Sequence, residues 1–263
     1  MLITHCNTQL TNVQDQIIEF LRIQPEINQK LIGIVARNGN LKFWFEPGTA
    51  FALKNEDQPV FFFAVQTPSA EFCNEVFKNN TKLQGTKASL DFVNVEANVT
   101  KTSLIMICDE ARYRNLVNSD YENICVIIAD PVIHNEHVNT MVEAFSTELS
   151  MDPVGSLNDV FSRGTFFIGK LSNEVAGLVF LSHSHPEDHI CRITFVYTKL
   201  SFRGLGLAKS MVSYALEYAF NELSSKCILY VNKSNTIARN LYESIGFHSL
   251  GDYQTCTIKK VFT

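Results

Sequence analysis

The chain has 263 residues, 46% apolar and 19% charged, enough to bury the cores of two domains and unlike the composition of a disordered segment. A formal charge of −5 argues against duplex nucleic acid as the main partner, since that requires a basic face. No run reaches the roughly 18 uninterrupted apolar residues of a membrane-spanning helix, and the opening MLITHCNTQL lacks the basic-then-apolar pattern of a secretory signal.

In chain order, QDQIIEFL and INQKLIGIVA carry apolar residues at helical spacing, with Ile17, Phe20 and Leu21 as a buried stripe. KFWFE, TAFALK and PVFFFAVQ follow as strands, with turns at Pro47-Gly48 and from Asn55 to Pro59. Phe61, Phe62 and Phe63 read as sheet core, because no basic residue among them could track a nucleic-acid backbone. SAEFCNEVFKN reads as a helix, TSLIMIC and NICVIIAD as strands. The organisation changes near residues 120 to 130, which divides the chain into 1–122 and 123–263. ADPVIHNEHVNTMVEAFSTELSM is a helix entered through Pro131 and Asn135, with Val138, Met141, Val142 and Phe145 on one face. LNDVFSRG allows a short second helix. TFFIGKL, EVAGLVFLS and CRITFVYT are three successive strands, the first two joined by a turn at Ser172-Asn173. FRGLGLAKS then leads into a long helix from about Gly206 to Leu223. The strand KCILYVN, a short helix in NTIARNLYESIGF and a last strand, YQTCTIKKV, complete the pattern. Seven cysteines are scattered without CxxC spacing, mostly inside apolar runs. They fit buried thiols in a reducing, cytoplasmic setting.

FRGLGLAKS concentrates the chemistry. It leaves a strand and enters a helix whose first turn has backbone N–H groups without intrahelical partners and a dipole that favours negative charge. Gly204 and Gly206 let the backbone approach a ligand with no Cβ in the way, and Arg203 can add a forked cationic donor. These are the parts of a pyrophosphate cradle. The triphosphate-loop spacing GxxxxGK[ST] is absent. A dinucleotide fingerprint fails too, because Lys209 stands at its third glycine and no acidic residue closes the next strand.

R-x-x-G-x-A, filled by Arg203, Gly206 and Ala208, resembles the acyl-CoA motif of the GNAT superfamily of N-acetyltransferases. Further on, Asn235-x-x-Ala238-x-x-x-Tyr242-x-x-x-Gly246-Phe247 is similar to the superfamily's second CoA motif. The element order from residue 125 to the end resembles a GNAT domain. The resemblance implies an α/β (α+β) fold, with a central mixed, mostly antiparallel sheet flanked by helices. It implies acetyl transfer from acetyl-CoA to a primary amine by direct attack in a ternary complex. The pyrophosphate would lie on Arg203, Gly204, Leu205, Gly206, Leu207, Ala208 and Lys209. Backbone groups around Val196, Tyr197 and Thr198, on a strand splayed from KCILYVN, would bind the pantetheine amides and polarise the thioester. Asn235, also a good N-cap residue, and Ala238 would line the pantetheine arm, and Tyr242 would protonate the departing thiolate. Ala238 and Tyr242 share a helix face, with Ile237, Leu241 and Ile245 as a separate buried stripe. Lys199-Leu200 stands where family members often carry proline.

The base is less defined. Residues 189–198 contain no carboxylate, where many relatives place a glutamate. Glu187, Asp188, His183 and His185 lie just before, in SHSHPEDH. This stretch reads as a polar hairpin tip, with a metal site involving His189 and a base acting through water as alternatives. No metal is expected. Residues 1–122 have no R-x-x-G-x-G/A motif and resemble a degenerate GNAT-like half that shapes the acceptor pocket. The expected partners are acetyl-CoA and a small amine or peptide acceptor, with the protein a monomer or homodimer that binds neither nucleic acid nor membrane. The alternative is a CoA-binding regulatory module without catalysis.

Overall fold

The computed structural model describes residues 3–5, 11–37, 42–54, 58–116, 124–148, 160–183 and 188–261. Cys6, Asn55, residues 157–159 of LNDVFSRG, His185 and Glu187 lie outside them. The chain forms two compact units: Met1–Ile105 with Val231–Asn235 and Ser249–Thr263, and Met106–Tyr230 with Thr236–His248.

The first unit contains β1 (Ile3–His5), α1 (Thr11–Leu21), α2 (Pro25–Arg37), β2 (Lys42–Glu46), β3 (Ala50–Lys54), β4 (Val60–Ala64), α3 (Ala70–Phe77), β5 (Lys82–Thr86) and α4 (Lys87–Leu90). It also holds most of β6 (Val95–Asp109) and of β12 (His248–Val261). The sheet order is β1-β2-β3-β4-β5-β12-β6. β1 to β4 are antiparallel, β4 and β5 parallel, and β5 and β12 antiparallel. Strand alternation sends Phe61 and Phe63 to the face covered by Ile17, Phe20, Leu21, Leu31 and Ile32 of α1 and α2. Phe62 goes to the other face, with Trp44 and with Phe72 and Val76 of α3. Both faces of these strands are thus covered, which is why PVFFFAVQ is apolar throughout.

In the second unit, α5 (Glu110–Leu116), β7 (Ile124–Ile128), α6 (Asn135–Glu148), β8 (Gly164–Leu171), β9 (Glu174–Ser182) and β10 (Ile190–Thr198) are followed by a 3-10 turn at Leu200–Phe202. Then come α7 (Leu207–Glu222), β11 (Lys226–Asn232), which lies in this unit up to Tyr230, and α8 (Thr236–Ile245). The strand order is β6-β11-β10-β9-β8-β7. β7 to β10 are antiparallel, and α7 is the crossover that makes β10 and β11 parallel. Val138, Met141 and Val142 of α6 pack on Phe166, Ile168, Leu178 and Phe195. α7 buries Met211, Val212, Ala215 and Ala219. It lies close to the sheet at Gly169 and Gly177, where an added Cβ would fall 2.5 Å from Met211 Sδ and 2.6 Å from Met211 Cε. Both units are α/β with mixed sheets flanked by helices, and no helix among the described residues is long and apolar enough to cross a membrane.

Two expectations about side chains are corrected. Ile237 is 84% exposed and does not join a buried stripe. The buried face of α8 is instead Tyr242 and Ile245. Cys125, inside an apolar run, is exposed, while Cys108, Cys191, Cys227 and Cys256 are buried thiols.

Candidate active site

β10 pairs with β11 from Ile190↔Lys226 to Ile193↔Leu229, and no further pair joins them among the described residues. Its pairing with β9 continues to Thr198↔Gly177. The two parallel strands therefore part halfway along β10. Lys199 N–H donates to Ala176 O at 2.9 Å, on the β9 side. Backbone groups of successive strand residues alternate between edges, so those of Val196 and Thr198 point towards the parted edge. The Tyr197 ring instead packs edge-on to Phe145 of α6.

The chain then turns through Leu200–Phe202 and Arg203 to Gly204 and Gly206, which have φ of +77° and +81°. Those left-handed conformations explain both glycines. An ideal Cβ on either would meet no atom within 4 Å, so the backbone here faces open space. Gly206 is the N-cap of α7 and supplies no side-chain cap, so the first-turn N–H groups of Leu207, Ala208 and Lys209 face the helix end without one. Leu205 is exposed, Leu207 buried, and Ala208 and Lys209 half-buried.

Arg203 does not reach into this open space. Its Nε donates to Thr198 O at 2.9 Å, and its Nη2 donates to both carboxylate oxygens of Glu148, at 2.7 and 2.6 Å. Hydrogen bonding to Glu148 pushes the guanidinium pKa up. Glu148, the last residue of α6, precedes Arg203 by 55 positions, and no local sequence signal links the two. Thr198 Oγ1 is buried without a partner among the described residues.

α8 packs beside α7 and carries Tyr242 on its buried face. The Tyr242 ring lies edge-on to Phe247 at 5.8 Å, and burial pushes the phenol pKa up to about 12. Gly246 turns the chain after α8 with φ of +113°, and Phe247 N–H returns to Tyr242 O at 3.0 Å. This turn is what the Gly246-Phe247 pair of the second motif builds. Ala238 is half-buried, one helical turn before Tyr242. Asn235 is exposed at the residue preceding α8, groups with the first unit, and donates its N–H to Asn232 O at 2.9 Å.

His183 lies far from the cradle. It follows Ser182, whose register partner is Arg192, whereas Thr198 is at the other end of the β9–β10 ladder. Its Nε2 is 3.0 Å from Thr165 Oγ1, and burial lowers its pKa. Among the described residues no group of three or more His, Cys, Asp or Glu side chains could hold a metal ion.

The first unit repeats the crossover with different chemistry. Among the described residues β4 and β5 pair in parallel only at Val60↔Leu83 and Phe61↔Gln84, with α3 between them in sequence. Here the helix start is closed by side chains, one from its N-cap and one from β2. Ser69 Oγ accepts from Phe72 N–H at 3.2 Å, and Ser69 N–H donates to Glu46 Oε2 at 3.0 Å. Ser89 Oγ donates to Ala64 O, the last residue of β4, at 3.3 Å.

A family model described as "Acetyltransferase (GNAT) family" matches residues 133–247. This segment is a GNAT acetyltransferase domain. The GNAT domain includes β10, the cradle, α7 and α8, with Arg203, Gly206, Ala208, Ala238 and Tyr242 inside the matched residues. N-acetylaspartate synthetase from Rattus norvegicus is 31% identical over 86 residues, covering 33% of this chain and 28% of the relative. The Danio rerio protein of that name is 28% identical over 108 residues, covering 41% of this chain and 35% of the relative. The matched region thus spans about a third of these relatives' length. Among solved structures, a tandem GNAT protein from the clavulanic acid biosynthesis pathway has a TM-score of 0.66 at 10% identity, covering 100% of this chain and 99% of its own. A GNAT-family acetyltransferase from Colwellia psychrerythraea has 0.66 at 13%, covering 99% and 100%. At such identities the likeness is one of fold, and it runs the length of the chain beyond the GNAT domain.

Proposed function

We propose that the protein is an N-acetyltransferase that moves an acetyl group from acetyl-CoA to the primary amine of a small acceptor. The observation that carries this reading is the parting of β10 from β11 directly before an uncapped, glycine-started helix. The first-turn N–H groups of α7, with Gly204 and Gly206 leaving room, receive the pyrophosphate. The parted edge of β10 at Val196 and Thr198 offers backbone groups to the pantetheine amides and a donor to the thioester oxygen, where negative charge develops as the amine attacks. Thr198 O is already held by Arg203, which leaves the remaining groups of that edge for the donor. Ala238 lines the pantetheine arm.

Tyr242 is the acid. With its pKa raised to about 12, the phenol keeps its proton throughout the physiological range. It donates to the sulfur as the C–S bond breaks, and the proton that the attacking nitrogen sheds on becoming an amide restores the phenol. A thiolate has an aqueous pKa of about 8.5, so complete transfer is favoured only while the same burial that raises the phenol also raises the sulfur's basicity. The amine must lose a proton before it attacks, and with no carboxylate in residues 189–198 that proton leaves through water.

The partial likeness to proteins named N-acetylaspartate synthetase supports a free amino acid as acceptor. Residues 1–122, whose sheet is completed by most of β12, serve as a degenerate GNAT-like half, supported by the repeated crossover and its closed helix start. The buried thiols support a cytoplasmic setting. The test is acetyl-CoA turnover, followed with a thiol reagent over a panel of amino acids, polyamines and peptides. Turnover with at least one amine is expected. Acetyl-CoA binding without turnover across the panel would favour the regulatory module.

A further inference from the structure

Arg203 links a distant carboxylate to the edge of β10. Glu148 takes both of its hydrogen bonds from Nη2, and Nε donates to Thr198 O. That carbonyl belongs to the peptide joining Thr198 to Lys199. The N–H of the same peptide donates to Ala176 O on β9. One peptide plane is therefore held at both ends, by a β9 carbonyl on one side and by the Glu148–Arg203 pair on the other. It is the last peptide of β10, at the edge from which β11 has parted. The guanidinium also lies over the Tyr197 ring, 6.0 Å from its centroid, which limits its swing.

The pair is 41% and 45% exposed. Exposed ion pairs of this kind contribute little to global stability, so its effect is one of orientation. We infer that Glu148 is a positioning residue for the acyl-donor site: it holds Arg203 where Arg203 pins the Thr198–Lys199 peptide, and Arg203 serves the donor through the strand edge. The inference rests on the acetyl-CoA reading of the cradle. A rival arrangement, in which Glu148 competes with pyrophosphate for Arg203, predicts the opposite sign. Removing the carboxylate would then free the guanidinium and tighten binding.

The test measures acetyl-CoA affinity by calorimetry and steady-state kinetics for Glu148→Gln, Glu148→Asp, Arg203→Lys and the double variant Glu148→Gln/Arg203→Lys. Glu148→Gln is expected to raise Kd and KM for acetyl-CoA roughly five-fold or more, with a smaller change in kcat and an almost unchanged Tm. Glu148→Asp, which keeps the charge, should recover part of the loss. The double variant should be no worse than Arg203→Lys alone, because the two side chains act as one chain of contacts. Tighter or unchanged binding in Glu148→Gln, or effects that multiply in the double variant, overturns the inference. Amide exchange at Lys199 gives a readout independent of the donor reading and should be faster in Glu148→Gln. If a folded Gly206→Asp protein bound acetyl-CoA normally, the donor reading would fail and the Lys199 amide would still decide the role of Glu148. Unchanged exchange there overturns it.

Discussion

Gly206 has a left-handed φ of +81° and open space beside it, at the start of a helix with no side-chain cap. Gly206→Asp brings strain and a negative charge to the point where the pyrophosphate is proposed to sit. Calorimetry is expected to record at least a tenfold loss of acetyl-CoA affinity, about 1.4 kcal/mol. Tyr242→Phe keeps the ring against Phe247 and removes one hydroxyl, so affinity should hold while kcat falls about 10²-fold. A variant with the wild-type rate, where chemistry limits turnover, would make the tyrosine structural. The same substitution has a pH signature. Burial penalises the phenolate and holds the folded pKa at about 12, above the ordinary value of 10.0, so the folded state loses stability relative to the unfolded chain as pH rises from 10 through 12. That amounts to about 3 kcal/mol at most, and denaturation curves of Tyr242→Phe between pH 9 and 12 should lack it. Arg203, Gly206, Ala208 and Tyr242 stand out in the sequence as candidates because each belongs to a local pattern on one loop or one helix. Glu148 was not, because its partner is reached only when α6 folds over β10. Nor could spacing reveal that the Arg203 fork turns back towards the protein.

At the scale of elements, KFWFE, EVAGLVFLS and KCILYVN coincide with β2, β9 and β11, because strand periodicity and burial agree there. β6 extends well before TSLIMIC, through VEANVTK, most of which is exposed. Those residues join the sheet through backbone pairing, and periodicity carries no trace of that. KLQGT forms β5 for the same reason, between α3 and α4 and paired to β12. The helix α7 was legible from its start to its end, but its closeness to the sheet was not. It depends on Gly177, where a Cβ would fall 2.6 Å from Met211 Cε and 2.7 Å from Tyr197 O. Gly177→Ala must move the Met211 methyl and shift the β10 backbone at Tyr197 O, beside Thr198. A loss of about 1–3 kcal/mol is expected, read as a lower Tm. KM for acetyl-CoA should rise with it, because the displaced carbonyl adjoins the donor edge. An unchanged Tm would mean that Met211 repacks and β10 yields without strain.

At the scale of the whole molecule, the described residues carry two parallel crossovers after antiparallel strands, one with an open helix start and one closed by Ser69 and Glu46. One acetyl-CoA per chain is therefore expected in a calorimetric titration, with Gly206→Asp abolishing it. A second site of similar affinity would contradict the closed reading of the first unit.

β12 has a consequence for biosynthesis. Tyr253 to Thr257 pair with Thr86 to Lys82, and the sheet order of the first unit places β12 between β5 and β6. Translation delivers β1 to β5 first, yet the neighbour that completes their sheet follows all the strands of the second unit. Until then β5 has an unpaired edge, open to wrong partners. The first unit, early in sequence, is thus late to finish on the ribosome. A stalled nascent chain ending before residue 248 should leave β5 open to proteolysis, and release of the full chain should close it.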